Sequence, residues 1–193
     1  MQTLELVKIK LGVNGSQDNP IRLPDLKRES LVLLFSELGF NRGAEIGVNK
    51  GYFSEALCKA NQVLLLVSID IWQRLQIYDE AVERLKPYNC LPLRTESVKA
   101  AAMFADGSLD FVHIDANHAY PSIMEDMEAW EPKVRIGGIV SGHDYRVSDE
   151  TPAAARCEVV KAVDEFVRQH CINPLFVMGE SLRAWPSWFW VKE

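Results

Sequence analysis

The run Asp110-Phe111-Val112-His113-Ile114 is apolar and strand-like, and it passes without a break into Asp115-Ala116-Asn117-His118-Ala119-Tyr120. A buried strand that ends on Asp-x-x-His offers polar chemistry at its carboxyl end, where open α/β sheets take their ligands. Three further runs end in the same manner: Ala44-Glu45-Ile46-Gly47, Val67-Ser68-Ile69-Asp70 and Ser141-Gly142-His143-Asp144-Tyr145. Four strand ends with polar or glycine-rich termini predict one composite site along one edge of a sheet.

The spacing of apolar residues supplies the rest of that sheet. Strands are expected at residues 44–48, 63–70, 90–93, 109–115 and 138–142, and helices near 53–59, 77–85, 98–104 and 121–134. In the last of these helices Ile123, Met127, Trp130 and Val134 mark one apolar face. Such alternation implies a parallel sheet with helices on both faces. Ahead of it, Leu31, Leu34, Phe35 and Leu38 recur at helical spacing and Gly39 stops the run, the pattern of an amphipathic helix with a C-terminal glycine. Residues 1–13 read as a short strand-like segment, and residues 12–24, with Asn-Gly, Asp-Asn-Pro and a second proline, as a loop. Beyond the alternation a long helix is expected over residues 153–170. Two apolar runs follow, 174–178 and 188–191, separated by the turn-like Gly179-Glu180-Ser181; they predict an antiparallel hairpin at one edge of the sheet. The length is that of one domain, residues 1–193, divided into an N-terminal extension and loop (1–24) and a core (25–193).

Charge and cysteine usage narrow the partners. A net charge of -6 disfavours a basic groove for nucleic acid. Four cysteines without paired spacing fit reduced thiols better than a disulfide framework or a structural zinc, and so a cytoplasmic location. No stretch approaches the roughly 18 apolar residues of a membrane span. The expected partner is a small molecule, with a homodimer left open.

Glycines and acids then define a binding edge. Gly47 lets the backbone turn off its strand, and Gly51 admits a ligand or a neighbouring chain at close range. The spacing is GxxxG with Asn49 between, not the GxGxxG of a dinucleotide site, so the fit to a pyrophosphate is poor. Asp70 ends the next strand, 23 residues beyond Gly47, where a carboxylate accepts the two hydroxyls of a ribose. His118 is suited by its ordinary pKa to take a proton at neutral pH. Each has a structural alternative: a plain strand–helix turn for the glycines, a solvated strand end for Asp70, a helix cap for His118. Trp72 either covers a bound nucleoside or packs. His113, inside its strand, reads as a satisfied core histidine.

Glu45-x-Gly47-x-x-x-Gly51, Asp70, Glu96-Ser97, the run into Asp115 and the turn through Gly137-Gly138 together resemble the class I S-adenosylmethionine (SAM)-dependent methyltransferases. The closer resemblance is to a small-molecule subfamily with Asp-x-x-His-x-Tyr after its fourth strand and Gly-His-Asp-Tyr after its fifth, over residues 44–145. Asn49 departs from the middle glycine usual in the wider superfamily. The resemblance implies a Rossmann-like, seven-stranded, mostly parallel sheet with an antiparallel last strand. It implies that Glu45, Gly47, Asn49 and Gly51 lie about the methionine part of SAM, Asp70 at the ribose hydroxyls, and Glu96 and Ser97 beside the adenine; Trp72, just past Asp70, would cover the adenine or the ribose if it does not simply pack. Asp115 would contact the cofactor or hold a divalent metal, and His118 would be the base. Asp144 matches a second metal carboxylate, whereas His143 replaces an acid; an imidazole there shifts preference from Mg²⁺ towards Mn²⁺, Fe²⁺ or Zn²⁺. The activity implied is transfer of a methyl group to a small-molecule hydroxyl. The rivals are an NAD(P)-dependent oxidoreductase on a similar sheet, disfavoured by the missing GxGxxG, and a SAM-binding module without turnover.

Overall fold

The computed structural model describes residues 2–13, 19–146, 157–179 and 185–193. Its strands are β1 (Ile21–Leu23), β2 (Arg42–Ile46), β3 (Leu65–Asp70), β4 (Cys90–Arg94), β5 (Leu109–Ile114), β6 (Val134–Gly142), β7 (Phe176–Met178) and β8 (Ser187–Val191). They form one eight-stranded sheet in the order β1-β7-β8-β6-β5-β2-β3-β4. Only β8 runs antiparallel to its neighbours, β6 and β7; every other pairing among the described residues is parallel.

The helices are α1 (Thr3–Lys10), α2 (Arg28–Glu37), α3 (Tyr52–Ala60), α4 (Leu75–Leu85), α5 (Ser97–Ala101), α6 (Tyr120–Trp130) and α7 (Val159–Gln169). Alternate residues of the central strands feed two separate cores, as the two-residue period of a strand requires. Ile46, Val112, Val140, Trp188 and Trp190 pack with α5, α6 and α7, including Ile123, Met127 and Phe166. Phe111, Ile139, Phe176 and Phe189 face the other way, onto Leu4 and Val7 of α1, Leu31 and Phe35 of α2, and Leu57 of α3. Strands buried on both faces carry apolar residues at successive positions, as Phe111-Val112 of β5 and Ile139-Val140 of β6 do.

The N-terminal region departs from expectation. The alternating Leu-Glu-Leu-Val-Lys-Ile-Lys of residues 4–10 suggests a strand, yet the segment is helix α1, with Leu4 and Val7 buried and Ile9 exposed. Its start rests on β6: a Cβ on Gly137 would lie 2.9 Å from Thr3 Oγ1. The expected loop over residues 12–24 contains β1, which pairs with β7 in the register Ile21↔Phe176. The sheet therefore has eight strands rather than seven, and the β7–β8 hairpin is flanked by β1 rather than ending the sheet. Helix α7 starts at Val159; the expected stretch 153–156 lies outside the described residues, as do Glu180 and Ser181.

Strand order reverses between β2 and β5: from β2 the chain proceeds outward through β3 and β4, then returns to β5 on the other side. The carboxyl ends of β2 and β5 thus flank a topological switch point, the place where such sheets open a crevice.

Candidate active site at the switch point

Gly47 and Asp115 close the two strands on either side of the crevice. The Asp115 amide donates to the Ile46 carbonyl (2.7 Å) and the Gly47 amide to the Ile69 carbonyl (2.8 Å). Gly47 adopts φ 87°, and a Cβ there would lie 2.0 Å from the Asp115 carbonyl oxygen, so only glycine permits this contact. Gly51 has φ 79° and caps the start of α3; a Cβ would meet Leu85 of α4 at 3.2 Å, so the close approach is to a neighbouring helix.

From here a cleft of about 1180 Å³ runs across the ends of β2, β3 and β4 to the side of α6. Gly47, Asn49, Asp70, Trp72, Glu96 and Ser97 all line it. Asp70 is held by the backbone: its Oδ2 accepts from the Asn49 amide (2.9 Å) and its Oδ1 from the Trp72 amide (2.7 Å). Each carboxylate oxygen keeps a lone pair for a ligand donor. Trp72 is only 2% exposed; its ring packs with Val48, Ala81 and Leu85, and its Nε1 donates to the Asn49 carbonyl (2.7 Å). Its indole therefore fastens the glycine turn to the Asp70 loop. Glu45 lies beneath, 1% exposed, accepting from Ser54 Oγ; burial pushes its carboxyl up to about 8, against that hydrogen bond.

A second group of residues gathers at the ends of β5 and β6. His118 Nε2 lies 3.1 Å from Asp144 Oδ2 and 3.6 Å from Asp115 Oδ1. The hydrogen-bond capacity of Asp115 raises the His118 pKa against its burial, and Asp144 adds to the rise. His143 Nδ1 is 2.9 Å from Asp144 Oδ1 and 4.0 Å from Asp115 Oδ1. Burial works to raise the Asp144 carboxyl, but its contact with the His143 imidazole and the positive charges of the cluster hold it below the usual value. His118 does not cap α6: the amide of Tyr120 is taken by Glu158 Oε2 (3.0 Å), and the amide of Ala119 by Asn117 Oδ1 (3.0 Å).

Asp115, His118 and Asp144 each turn one ligand atom into a space within which all three lie no more than 4.8 Å apart. His118 Nε2 and Asp144 Oδ1 are both shielded from solvent and neither has a hydrogen bond of acceptable direction. Two carboxylates and an imidazole with converging lone pairs fit a divalent cation. His143 stands beside this group, turned to Asp144, so the imidazole of the fitting set comes from His118. Backbone strain marks the same rim. Of the four described non-glycine residues with left-handed φ, Asn49 (51°), Trp72 (37°) and Asp144 (58°) all sit at these strand ends, a concentration typical of functional sites.

Two residues escape the sequence reading. Arg28, from α2, binds Asp115 Oδ2 through Nη2 (3.0 Å), reaches His113 Nε2 with the same atom (3.2 Å) and lies over the Phe53 ring. Because Arg28 only donates, His113 Nε2 accepts; its Nδ1–H then donates to Ser141 Oγ (3.0 Å), which donates to the Val112 carbonyl. His113 is thus a satisfied core histidine, its pKa driven down by burial. Nothing local distinguishes Arg28, which meets its partners 85 positions away. Asp126 of α6, 5% exposed, also lines the cleft. It did leave a signal, an acid on the same helical face as Ile123 and Trp130.

A switch-point cleft with a fixed acid beside it defines a Rossmann-like α/β protein. Residues 44–145, from the turn strand through Tyr145, match the family described as a methyltransferase domain, and the chain belongs to that family. It is 25% identical over 153 residues to the uncharacterized protein y4gI of Sinorhizobium fredii, of whose length the match spans 17%. Among solved structures it resembles a Staphylococcus aureus protein provisionally assigned as a caffeoyl-CoA O-methyltransferase, with TM-score 0.70 and 14% identity over 100% of this chain and 93% of that one. It also resembles the O-methyltransferase of Bacillus cereus in complex with SAH, with TM-score 0.68 and 18% identity over 98% and 90% of the two chains. Among the described residues no helix is long and apolar enough to cross a membrane.

Proposed function

We propose that the protein transfers a methyl group from SAM to a hydroxyl of a small molecule. The observation that carries this reading is the adjacency of the Asp70 cleft to the Asp115–His118–Asp144 group across one glycine, Gly47. SAM would supply an electrophilic methyl group on a sulfonium. The cleft suits a ligand of that size, and the backbone-held Asp70 suits ribose hydroxyls. At the other end His118 Nε2 is placed to take the acceptor's hydroxyl proton as oxygen bonds to the methyl carbon and sulfur departs as a neutral thioether. Arg28 fixes Asp115, leaving the second oxygen of that carboxylate directed to the histidines. A divalent cation held by Asp115, His118 and Asp144 would be the alternative to that proton transfer: it would take up the His118 Nε2 lone pair and lower the pKa of the acceptor hydroxyl instead. The acidic chain favours small acceptors over nucleic acid.

Calorimetric titration with SAM, repeated for Asp70→Ala and with NAD⁺, tests the reading. Binding of SAM that Asp70→Ala weakens, with NAD⁺ silent, is expected; folded, ligand-free protein that ignores SAM would overturn it. Mn²⁺ titration of wild type against Asp144→Asn tests the cation separately, and equal binding by both would remove it from this site.

A further inference from the structure

Granted a nucleoside cofactor, the cleft fixes which way round it lies. The strand ends run in space from Asp115 (β5) to Gly47 (β2), Asp70 (β3) and Thr95–Ser97 (after β4). The reacting group belongs beside Asp115 and the ribose at Asp70, so the base extends towards the end of β4. There the lining is Ser97 and Val98 of α5 together with Asp126 and Ala129 of α6.

Asp126 is an unusual residue for that lining. It is almost wholly enclosed, yet it borders the cleft and, among the described residues, no cation neutralises it. Its orientation is set from behind. Trp130 Nε1 donates to Ser97 Oγ (2.8 Å), and since an indole only donates, the single Ser97 proton is left for Asp126, with which Ser97 is hydrogen-bonded. One Asp126 acceptor site is used in this relay, and the rest of the carboxylate borders the cleft, where a ligand donor can reach it. Burial lifts the carboxyl to about 6, with the Ser97 bond acting against it and the charge of Glu125 adding to it.

We infer that Asp126, oriented by Ser97 and Trp130, is the specificity residue for the base, accepting the exocyclic amino group of an adenine. A neutral N–H donor satisfies the buried acceptor without bringing a second charge into the cleft. The inference rests on the proposed SAM reading and goes beyond it by naming the residue that reads the base.

The test compares SAH with its 6-desamino counterpart, in which purine replaces adenine, by calorimetry on the wild type and on Asp126→Ala. The wild type is expected to favour SAH by about tenfold or more, the worth of one hydrogen bond to a buried acceptor. Asp126→Ala should lose that preference while binding the purine analogue within about threefold of wild type. Asp126→Leu, of similar size and without an acceptor, replaces the alanine variant if the latter fails to fold. Equal wild-type affinity for the two ligands, or an undiminished preference in the variant, would overturn the inference and leave the SAM reading standing. A wild type that binds neither ligand would overturn both.

Discussion

The carboxylates of the cofactor cleft and those of the reaction cluster are held by opposite means. In the cleft, Asp70 is clamped by two backbone amides and Asp126 is held by a serine hydroxyl; among the described residues no charged side chain is within bonding distance of either. In the cluster, Asp115 and Asp144 are held by Arg28, His118 and His143, all through side chains. Backbone clamps are part of the fold and keep their geometry when nearby charges change. A cluster of mutual ion pairs has its geometry set by its own protonation and by any cation it holds. On the proposed function, the molecule pairs a rigid binding half with a charge-responsive chemical half, as a reaction requires when binding persists while a proton moves.

The largest effect is expected where the halves touch. Gly47→Ala puts a methyl group 2.0 Å from the Asp115 carbonyl at a φ of 87°. Because the obstruction is backbone in a packed sheet, a loss of about 3–5 kcal/mol is expected, with both SAM binding and turnover impaired. Chemical denaturation measures it; near-wild-type stability would show that the two strand ends can part, and the division into halves would lose its hinge.

Next in size is His118→Asn. Removing a positioned proton acceptor is expected to lower kcat by about 10²–10⁴ while leaving SAH affinity within about threefold. If affinity fell as far as turnover, His118 would belong to the binding half. Asp70→Ala should do the reverse, weakening SAH by roughly 30- to 1000-fold, the worth of one or two hydrogen bonds to a carboxylate together with the Asn49–Trp72 clamp. Its kcat at saturating SAM should change little. Any larger fall in kcat than in affinity would break the contrast.

How much of this was legible in the sequence follows the same division. Strands β3, β5 and β6 announce themselves through mostly apolar runs and β2 through the glycine turn that follows it, and the polar ends of these strands put Gly47, Asp70, Asp115, His118 and Asp144 at one rim. What local pattern did not reveal depends on distant pairing. β1 is three residues long and exists because β7, more than 150 positions on, offers it an edge. α1 reads as a strand because its charged residues alternate with apolar ones; the docking surface on β6 selects the helix. Arg28 likewise gains its role only when α2 is laid against β5. Gly51 was legible as a close-approach glycine but not as to which neighbour approaches, since α4 and a ligand make the same demand.

Glu45 sharpens the contrast by belonging to neither half, and its effect is the smallest. It is fully buried under the glycine turn, accepts from Ser54, and has a carboxyl raised by burial from 4.5 to about 8, the Ser54 bond opposing. The folded protein therefore binds a proton here that the unfolded chain releases between about pH 4.5 and 8. The stabilisation is complete below the lower value and disappears as pH rises through the upper one. Glu45→Gln mimics the protonated side chain and carries no such dependence. The variant should match the wild type near pH 5 and exceed it by a margin that widens as the pH rises to about 8.5. Denaturant titrations of both proteins across that range measure the difference. A gap that stays constant with pH would mean that Glu45 is ionised in the native protein, and that the floor beneath the cleft is held by charge as the cluster is.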